Sequence, residues 1–365
     1  MNKAYLILAD GTVFEGFAIG ATGSTLGETV FTTGITGYLE TLTDPSYYGQ
    51  IVTQTFPLIG NYGVINEDFE SRQSWVRGYI VRELCDDPSN FRCQSNLNDF
   101  LKAQGIIGIC GIDTRALTKR LRESGVMNGM IVSGKEAEKL QKDKEGLLQK
   151  IREYKIEHAV EKVSKNDGKL SSSSGSVHII LWDFGAKANI QRELEKRGCK
   201  VTVVPYDTTA EQILKMQPDG IMLSNGPGDP AENVGIIEEI KKICDAGTIP
   251  IFGICLGHQM LALARGCKTS KLKYGHRGGN HPCKDTQTNR VYITSQNHGY
   301  AVENASLPEY AQISFFNVND GTVEGIRYTD IPAFSVQFHP EACGGPHDTN
   351  FLFDDFLKTV SCNKA

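Results

Sequence analysis

Apolar positions fall into two regimes along the chain. Up to about residue 130 they form short runs separated by glycine, threonine and tyrosine. Tyr5 to Leu8, then Asp10-Gly11, then Thr12-Val13-Phe14 reads as a hairpin whose turn residues accept positive φ. From Gly20 to Gly63 glycine and threonine surround further short β-like pieces, so the pattern predicts a mainly β unit. From Gly134 to about Val163 Lys, Glu, Gln and Leu take over, and Leu140, Leu147, Leu148 and Ile151 fall on one helical face. Ser164 to Lys169 and Ser171 to Ser176 have almost nothing to bury, which predicts a linker over 164–176 between domains at 1–163 and 177–365.

Beyond that stretch the period changes. Val177 to Trp182, Val201 to Val204, Gly220 to Leu223 and Ile249 to Ile254 are nearly continuous apolar runs, the mark of strands covered on both faces. Between them lie helical patterns at Ala188 to Arg197, Val234 to Ala246 and Leu256 to Arg265, each followed by a glycine suited to a left-handed cap. Strand alternating with helix predicts an α/β, doubly wound and mostly parallel sheet with right-handed crossovers. Val291 to Thr294, Ile313 to Val318 and Ala333 to Phe338 add later strands, and no internal repeat is visible.

Charge narrows the partners. With 38 basic and 43 acidic residues in 365, the net charge is -5, and there is no basic field to attract nucleic acid or an anionic membrane. No stretch approaches the roughly 20 apolar residues of a membrane-spanning helix. The run Tyr5 to Ala9 is too short for the core of a signal peptide, so a cytoplasmic location is expected. The ten cysteines are scattered without a C-x-x-C pair, as expected of reduced thiols.

One cysteine stands apart. Gly253-Ile254-Cys255-Leu256-Gly257 follows an apolar run and opens a helical one, the arrangement of a nucleophile elbow with sulfur in place of oxygen. The glycines permit a tight turn, and the helix N-terminus favours a thiolate. A thiol nucleophile requires a base and an orienter for it. Phe338-His339-Pro340-Glu341 ends another apolar run, so His339 and Cys255 both stand at carboxyl ends of predicted strands, where active groups of open parallel sheets collect. Glu341 is placed to hold the imidazole, as the acid of a triad does. The bland readings are a buried structural cysteine and a surface histidine beside a proline turn. Ser224 to Ala231 fits G-x-G-x-x-A, but Pro227 and Pro230 have no amide hydrogen and Asp229 repels a pyrophosphate. That loop suits an oxyanion hole better, with a plain tight turn as the alternative.

Gly253 to Gln259, Ser224 to Pro230 and Phe338 to Glu341 together resemble the class I, triad-type glutamine amidotransferases. Thr32 to Tyr38, Thr43 to Tyr47, Ile59 to Gly63, Gly111 to Arg115 and Gly275 to Pro282 resemble the carbamoyl phosphate synthetase small-subunit family. The resemblance implies that Cys255 attacks the side-chain amide of glutamine, with His339 and Glu341 completing the triad. It further implies an oxyanion hole from the amides of Leu256 and Gly226, and glutamine contacts at Ser46, Gly228, Gln259, Asn297, Gly299 and Tyr300. Ser46 comes from the N-terminal domain, so the implied pocket straddles two domains. The implied partner is a large subunit that consumes bicarbonate, ATP and the released ammonia, passed to it directly. No cofactor is implied in this chain, and ATP and Mg are expected on the large subunit; no G-x-x-x-x-G-K-[ST] occurs here. No metal is expected, since His276, His281 and Cys283 lack a fourth ligand and lie in what reads as a glycine-rich loop. Two other readings stand beside this one: the glutaminase component of another amidotransferase, such as an anthranilate synthase, and a non-catalytic regulatory subunit.

Overall fold

A computed structural model describes residues 2–138, 144–164, 171–172 and 174–364. The chain divides into two compact units, Met1–Glu157 and His158–Ala365.

In the first unit the hairpin forms as the sequence predicts, with β1 (Lys3–Leu8) antiparallel to β2 (Val13–Gly20). Next come β3 (Ser24–Thr32), α1 (Tyr38–Thr43), β4 (Gln50–Gln54), β5 (Leu58–Ile59), β6 (Gly78–Ile80) and β7 (Glu83–Leu84). After these stand α2 (Leu97–Ala103), β8 (Ile107–Cys110), α3 (Thr114–Ser124), β9 (Met127–Ser133) and α4 (Lys144–Glu153). Seven strands close a barrel in the order β1-β2-β8-β6-β4-β3-β9, with β9 pairing back onto β1. Period two divides the side chains between two cores. Val30, Val52 and Tyr79 pack with α1 and α2, whereas Phe31, Ile51 and Ile80 pack with Leu6, Leu8 and Leu117 of α3. Leu148 and Ile151 of α4 bury against Ile7, Met130 and Val132, as their spacing predicts. Leu140 lies outside the described residues.

The second unit begins before the predicted linker. α5 (Ala159–Val163) belongs to it, because Val160 joins its core and Ser164 Oγ accepts a hydrogen bond from the Tyr206 amide at 3.1 Å. Sequence placed these residues with the charged helix before them, because a one-turn apolar patch carries no sign of which core it serves. Within the expected linker, Ser171–Ser172 form a short strand, β10; residues 165–170 and 173 lie outside the described residues.

The elements that follow are β11 (Val177–Asp183), α6 (Ala188–Lys196), β12 (Cys199–Pro205), α7 (Ala210–Lys215), β13 (Gly220–Leu223), α8 (Val234–Ala246), β14 (Ile251–Ile254) and α9 (Leu256–Ala264). The unit finishes with β15 (Thr269–Asp285), β16 (Val291–Val302), β17 (Ala311–Asn317), β18 (Val323–Tyr328), β19 (Ala333–Val336) and α10 (Leu352–Lys364). They build a ten-stranded sheet in the order β10-β12-β11-β13-β14-β19-β18-β17-β15-β16. β12, β11, β13, β14 and β19 are mutually parallel; β18, β17, β15 and β16 extend the sheet antiparallel. Alternate residues face opposite layers: Ile180 and Trp182 pack with α8 and α9, and Ile179 and Leu181 with α6 and α10. Helices on both faces make the sheet doubly wound, as the apolar runs require.

One reading of the sequence is corrected. Gly275 to Cys283 lies inside the long strand β15, not in a loop. Register shifts between Lys271 and His276, and between Gly278 and His281, interrupt the alternation, so neither a period of two nor an apolar run announces the strand.

Candidate active site

β14 and β19 are neighbouring parallel strands in which Ile254 pairs with Val336. Cys255 is the first residue beyond one strand and His339 the third beyond the other. Paired strands run about 4.8 Å apart, so the two groups emerge side by side at the carboxyl edge. The Cys255 amide donates to Val336 O at 2.9 Å, and the His339 amide to Ser295 O at 2.9 Å.

Cys255 has φ 52 and ψ -104, a strained backbone state for a residue with a side chain. Its surroundings impose it: a Cβ at Gly257 would sit 2.4 Å from Leu223 O, and one at Gly253 2.9 Å from Gly257 O. Helix α9 therefore starts hard against the sheet, with the sulfur at its N-terminus. Sγ donates to Asn297 O at 3.6 Å, which places the first predicted glutamine contact of β16 beside the nucleophile.

His339 and Glu341 are almost wholly buried. His339 Nδ1 lies 2.7 Å from Glu341 Oε1, and its Nε2 has no hydrogen-bond partner. Burial and the charge of Lys187 push the imidazole pKa down, but Glu341 and Cys255 outweigh them and lift it from 6.5 to about 9. Burial pushes the Glu341 carboxyl up, yet Lys187 and His339 hold it down at about 2. The tautomer follows from these contacts: Nδ1 carries a proton to the carboxylate, and Nε2 is left for the reacting groups.

Lys187 was not foreseen from sequence. Its Nζ lies 2.8 Å from Glu341 Oε1 in a site where its own side chain is 9% exposed. It follows the carboxyl end of β11, so the same topological rule that finds Cys255 and His339 reaches it; a lone lysine after Gly185-Ala186 gives no other signal. Asn189 Nδ2 donates to the backbone carbonyl of Glu341 and fixes the loop that carries the acid.

The loop after β13 is tied to the elbow, since the Gly257 amide donates to Ser224 O at 3.0 Å. Ser224 Oγ accepts from the Phe184 amide at 2.9 Å, and Asn225 Oδ1 from the Lys187 amide at 3.0 Å. Gly226 packs over the start of α9: a Cβ there would lie 2.2 Å from Phe184 O and 2.7 Å from Leu256 Cδ2. Leu256 opens the helix, so its amide has no intrahelical acceptor. The two amides expected of an oxyanion hole thus belong to touching residues. Gly228 turns the loop with φ +89.

Gln259 lies on the first turns of α9 and donates through Nε2 to Tyr300 O at 2.7 Å and Gln337 Oε1 at 2.9 Å. Tyr300 thus enters through its backbone carbonyl. Gly299 lies beneath Arg277, whose Nη2 a Cβ would meet at 3.3 Å. The second unit therefore carries Gly226, Cys255, His339 and Glu341 beyond the ends of β13, β14 and β19, Leu256 and Gln259 on α9, and Asn297 and Tyr300 within β16. Ser46 belongs to the first unit, in a single turn where its amide donates to Asp44 Oδ1 at 2.9 Å. His258, also within the elbow motif, points inward to Ser335 Oγ at 2.8 Å and is held neutral by burial at a pKa of about 3. It braces α9 on the sheet.

The ten cysteines form no disulfide, and no described helix is long and apolar enough to cross a membrane.

Residues 180–359 match the family Glutamine amidotransferase class-I, and residues 6–131 match the family Carbamoyl-phosphate synthase small chain, CPSase domain. The carbamoyl phosphate synthase small chain of Clostridium perfringens is 54% identical over 356 residues, covering 98% of this chain and 99% of that one. Those of Bacillus anthracis and Listeria innocua are 53% and 52% identical, covering 98% and 99% of this chain and 96% and 98% of theirs.

Proposed function

Since the chain belongs to the carbamoyl-phosphate synthase small-chain family and ends in a class I glutamine amidotransferase, we propose the following roles for its residues. The chain is the glutamine-hydrolysing subunit of a carbamoyl-phosphate synthase. Cys255 Sγ attacks the side-chain amide carbon of glutamine, and the N–H groups of Leu256 and Gly226 hold the oxyanion. Collapse of that intermediate breaks the C–N bond; His339 gives its Nε2 proton to the departing nitrogen, releasing ammonia and leaving a glutamyl thioester. Water, deprotonated by the same imidazole, then attacks the thioester and frees glutamate and the thiol. Glu341 keeps the ring oriented throughout, and Lys187 keeps Glu341 ionised.

The observation that carries this reading is the pairing of β14 with β19, which brings a strained thiol and a carboxylate-bound imidazole to one edge. Glutamine recognition falls to Gly228, Gln259, Asn297, Gly299 and Tyr300. The partner is a large subunit that uses the ammonia with bicarbonate, ATP and Mg; ten cysteines without a disulfide favour the reducing cytoplasm. A glutaminase component of an anthranilate synthase would leave residues 6–131 without a purpose, and a non-catalytic subunit would have no use for the strain at Cys255.

The test is ammonia release from glutamine by the chain assembled with its large subunit. Cys255→Ser is expected to abolish it while leaving synthesis from added ammonia intact. Equal release by both proteins overturns the assignment.

A further inference from the structure

One residue beyond Asn297, β15, β16 and β18 bring together His276, His298 and Glu324, whose side chains are 8%, 1% and 0% exposed. One ligand atom from each lies within 4.8 Å of the other two. His276 Nδ1 is 3.3 Å from Glu324 Oε1, and His298 Nε2 is 4.0 Å from the same oxygen. Both ring nitrogens are buried without a hydrogen-bond partner.

The outer contacts decide what faces the centre. His298 Nδ1 lies 2.7 Å from Tyr300 O, which can only accept, so that nitrogen carries the hydrogen and Nε2 presents a lone pair. His276 Nε2 lies 2.8 Å from Asp320 Oδ2 and likewise donates outward, so a cation that displaces the proton of Nδ1 finds a second lone pair there. Glu324 Oε2 accepts from Gln296 Nε2 at 2.8 Å and Oε1 accepts from Asn317 Nδ2 at 3.3 Å, which leaves the other lone pair of Oε1 as a third. Three ligand atoms thus converge in a buried interior. A proton on His276 Nδ1 serves one contact and leaves His298 Nε2 unserved; a cation serves all three.

We propose that His276 Nδ1, His298 Nε2 and Glu324 Oε1 bind a divalent first-row transition cation, zinc foremost, with water in the fourth position. Two histidines and a carboxylate form a familiar zinc donor set, and outward N–H bonds to a carboxylate and a backbone carbonyl are the supports such ligands need. Ligands about 2.0–2.2 Å from a tetrahedral ion lie about 3.3–3.5 Å apart, so the 3.3 Å contact fits, while the 4.0 Å contact and the span of up to 4.8 Å among the three atoms require the side chains to draw in on the ion. The ion would bind β18 to β15 and β16 where β17 does not bridge them; β17 pairs with β15 only from Cys283 to Asp285. From sequence no metal was expected, because His276, His281 and Cys283 lack a fourth ligand. Instead Cys283 Sγ turns to Thr294 Oγ1 at 3.4 Å, and the missing ligands come from strands 22 and 48 positions further on, at 298 and 324.

The experiment titrates the metal-free full chain with cobalt(II). Expected are the visible bands of four-coordinate cobalt saturating at one equivalent, with no sulfur-to-cobalt band and an unchanged spectrum in Cys255→Ser. Glu324→Gln is expected to abolish the bands while keeping its far-ultraviolet circular dichroism. Should that variant fail to fold, Asp320→Asn supplies the test: its carboxylate is outermost and half exposed, and cobalt affinity is expected to fall at least tenfold. Absence of four-coordinate bands in the unaltered chain overturns the proposal and leaves a proton as occupant. So do bands that persist in Glu324→Gln, an affinity unchanged in Asp320→Asn, or a sulfur band lost with Cys255.

Discussion

Replacing Glu341 by glutamine keeps the shape of the acid and removes its charge. Oε1 lies 2.7 Å from His339 Nδ1 and 2.8 Å from Lys187 Nζ, so one substitution acts on two cations. His339 is raised from 6.5 to about 9, with burial and Lys187 opposing and Glu341 and Cys255 prevailing. At 1.36 kcal/mol per pH unit, that rise holds the imidazolium by roughly 3 kcal/mol. In Glu341→Gln the lowering influences dominate, and His339 is expected to titrate below 6.5. Ammonia release should fall by about a hundredfold or more, because base and orientation are lost together. Breaking a buried ion pair should also cost roughly 3 kcal/mol of stability. Lys187→Met/Glu341→Gln removes both opposing charges, so His339 should titrate between the single variant and the unaltered chain, with part of the stability restored. Carbon-13 imidazole resonances followed against pH in the three proteins give the order directly. The same midpoint in all three would refute the electrostatic account of the triad.

Gly257→Ala drives a Cβ to 2.4 Å from Leu223 O, so its denaturation midpoint should fall by the equivalent of at least about 2 kcal/mol; Gly235→Ala, with open space around it in α8, should be neutral or mildly stabilising. Stability against pH should be flat from roughly 4.5 to 6.5. Below it, protonation of Glu341, depressed to about 2 when folded, removes its contribution as pH falls; above it, the contribution of His339 fades as pH rises towards about 9. Urea unfolding across pH should show both limbs, and the acid limb should flatten in Lys187→Met/Glu341→Gln.

The parts legible in the sequence are those where one local pattern decides the outcome. β11, β13 and β14 are buried on both faces and read as apolar runs, and α8 and α9 show three-to-four spacing up to their capping glycines. The elbow was legible because two close backbone approaches demand glycine at 253 and 257. Barrel closure was not, because the parallel pairings of β3 with β4 and of β6 with β8 depend on contacts far apart in sequence. Nor was β15, where bulges and polar residues hide the strand, or Lys187, whose role exists only once β11 and β19 share a sheet. α10 went unread although its pattern is helical, with Leu352, Phe353, Phe356 and Val360 buried and Asp354 and Lys358 exposed.

That helix has a consequence for the order of synthesis. Phe353 and Phe356 clasp Phe252, with ring centres 5.9 and 5.8 Å away, directly under the strand that presents the thiol. A ribosome releases Cys255 84 positions ahead of position 339, and this aromatic clamp later still. Until the chain has been translated past these positions, the sulfur therefore has neither His339 beside it nor the aromatic support beneath its strand.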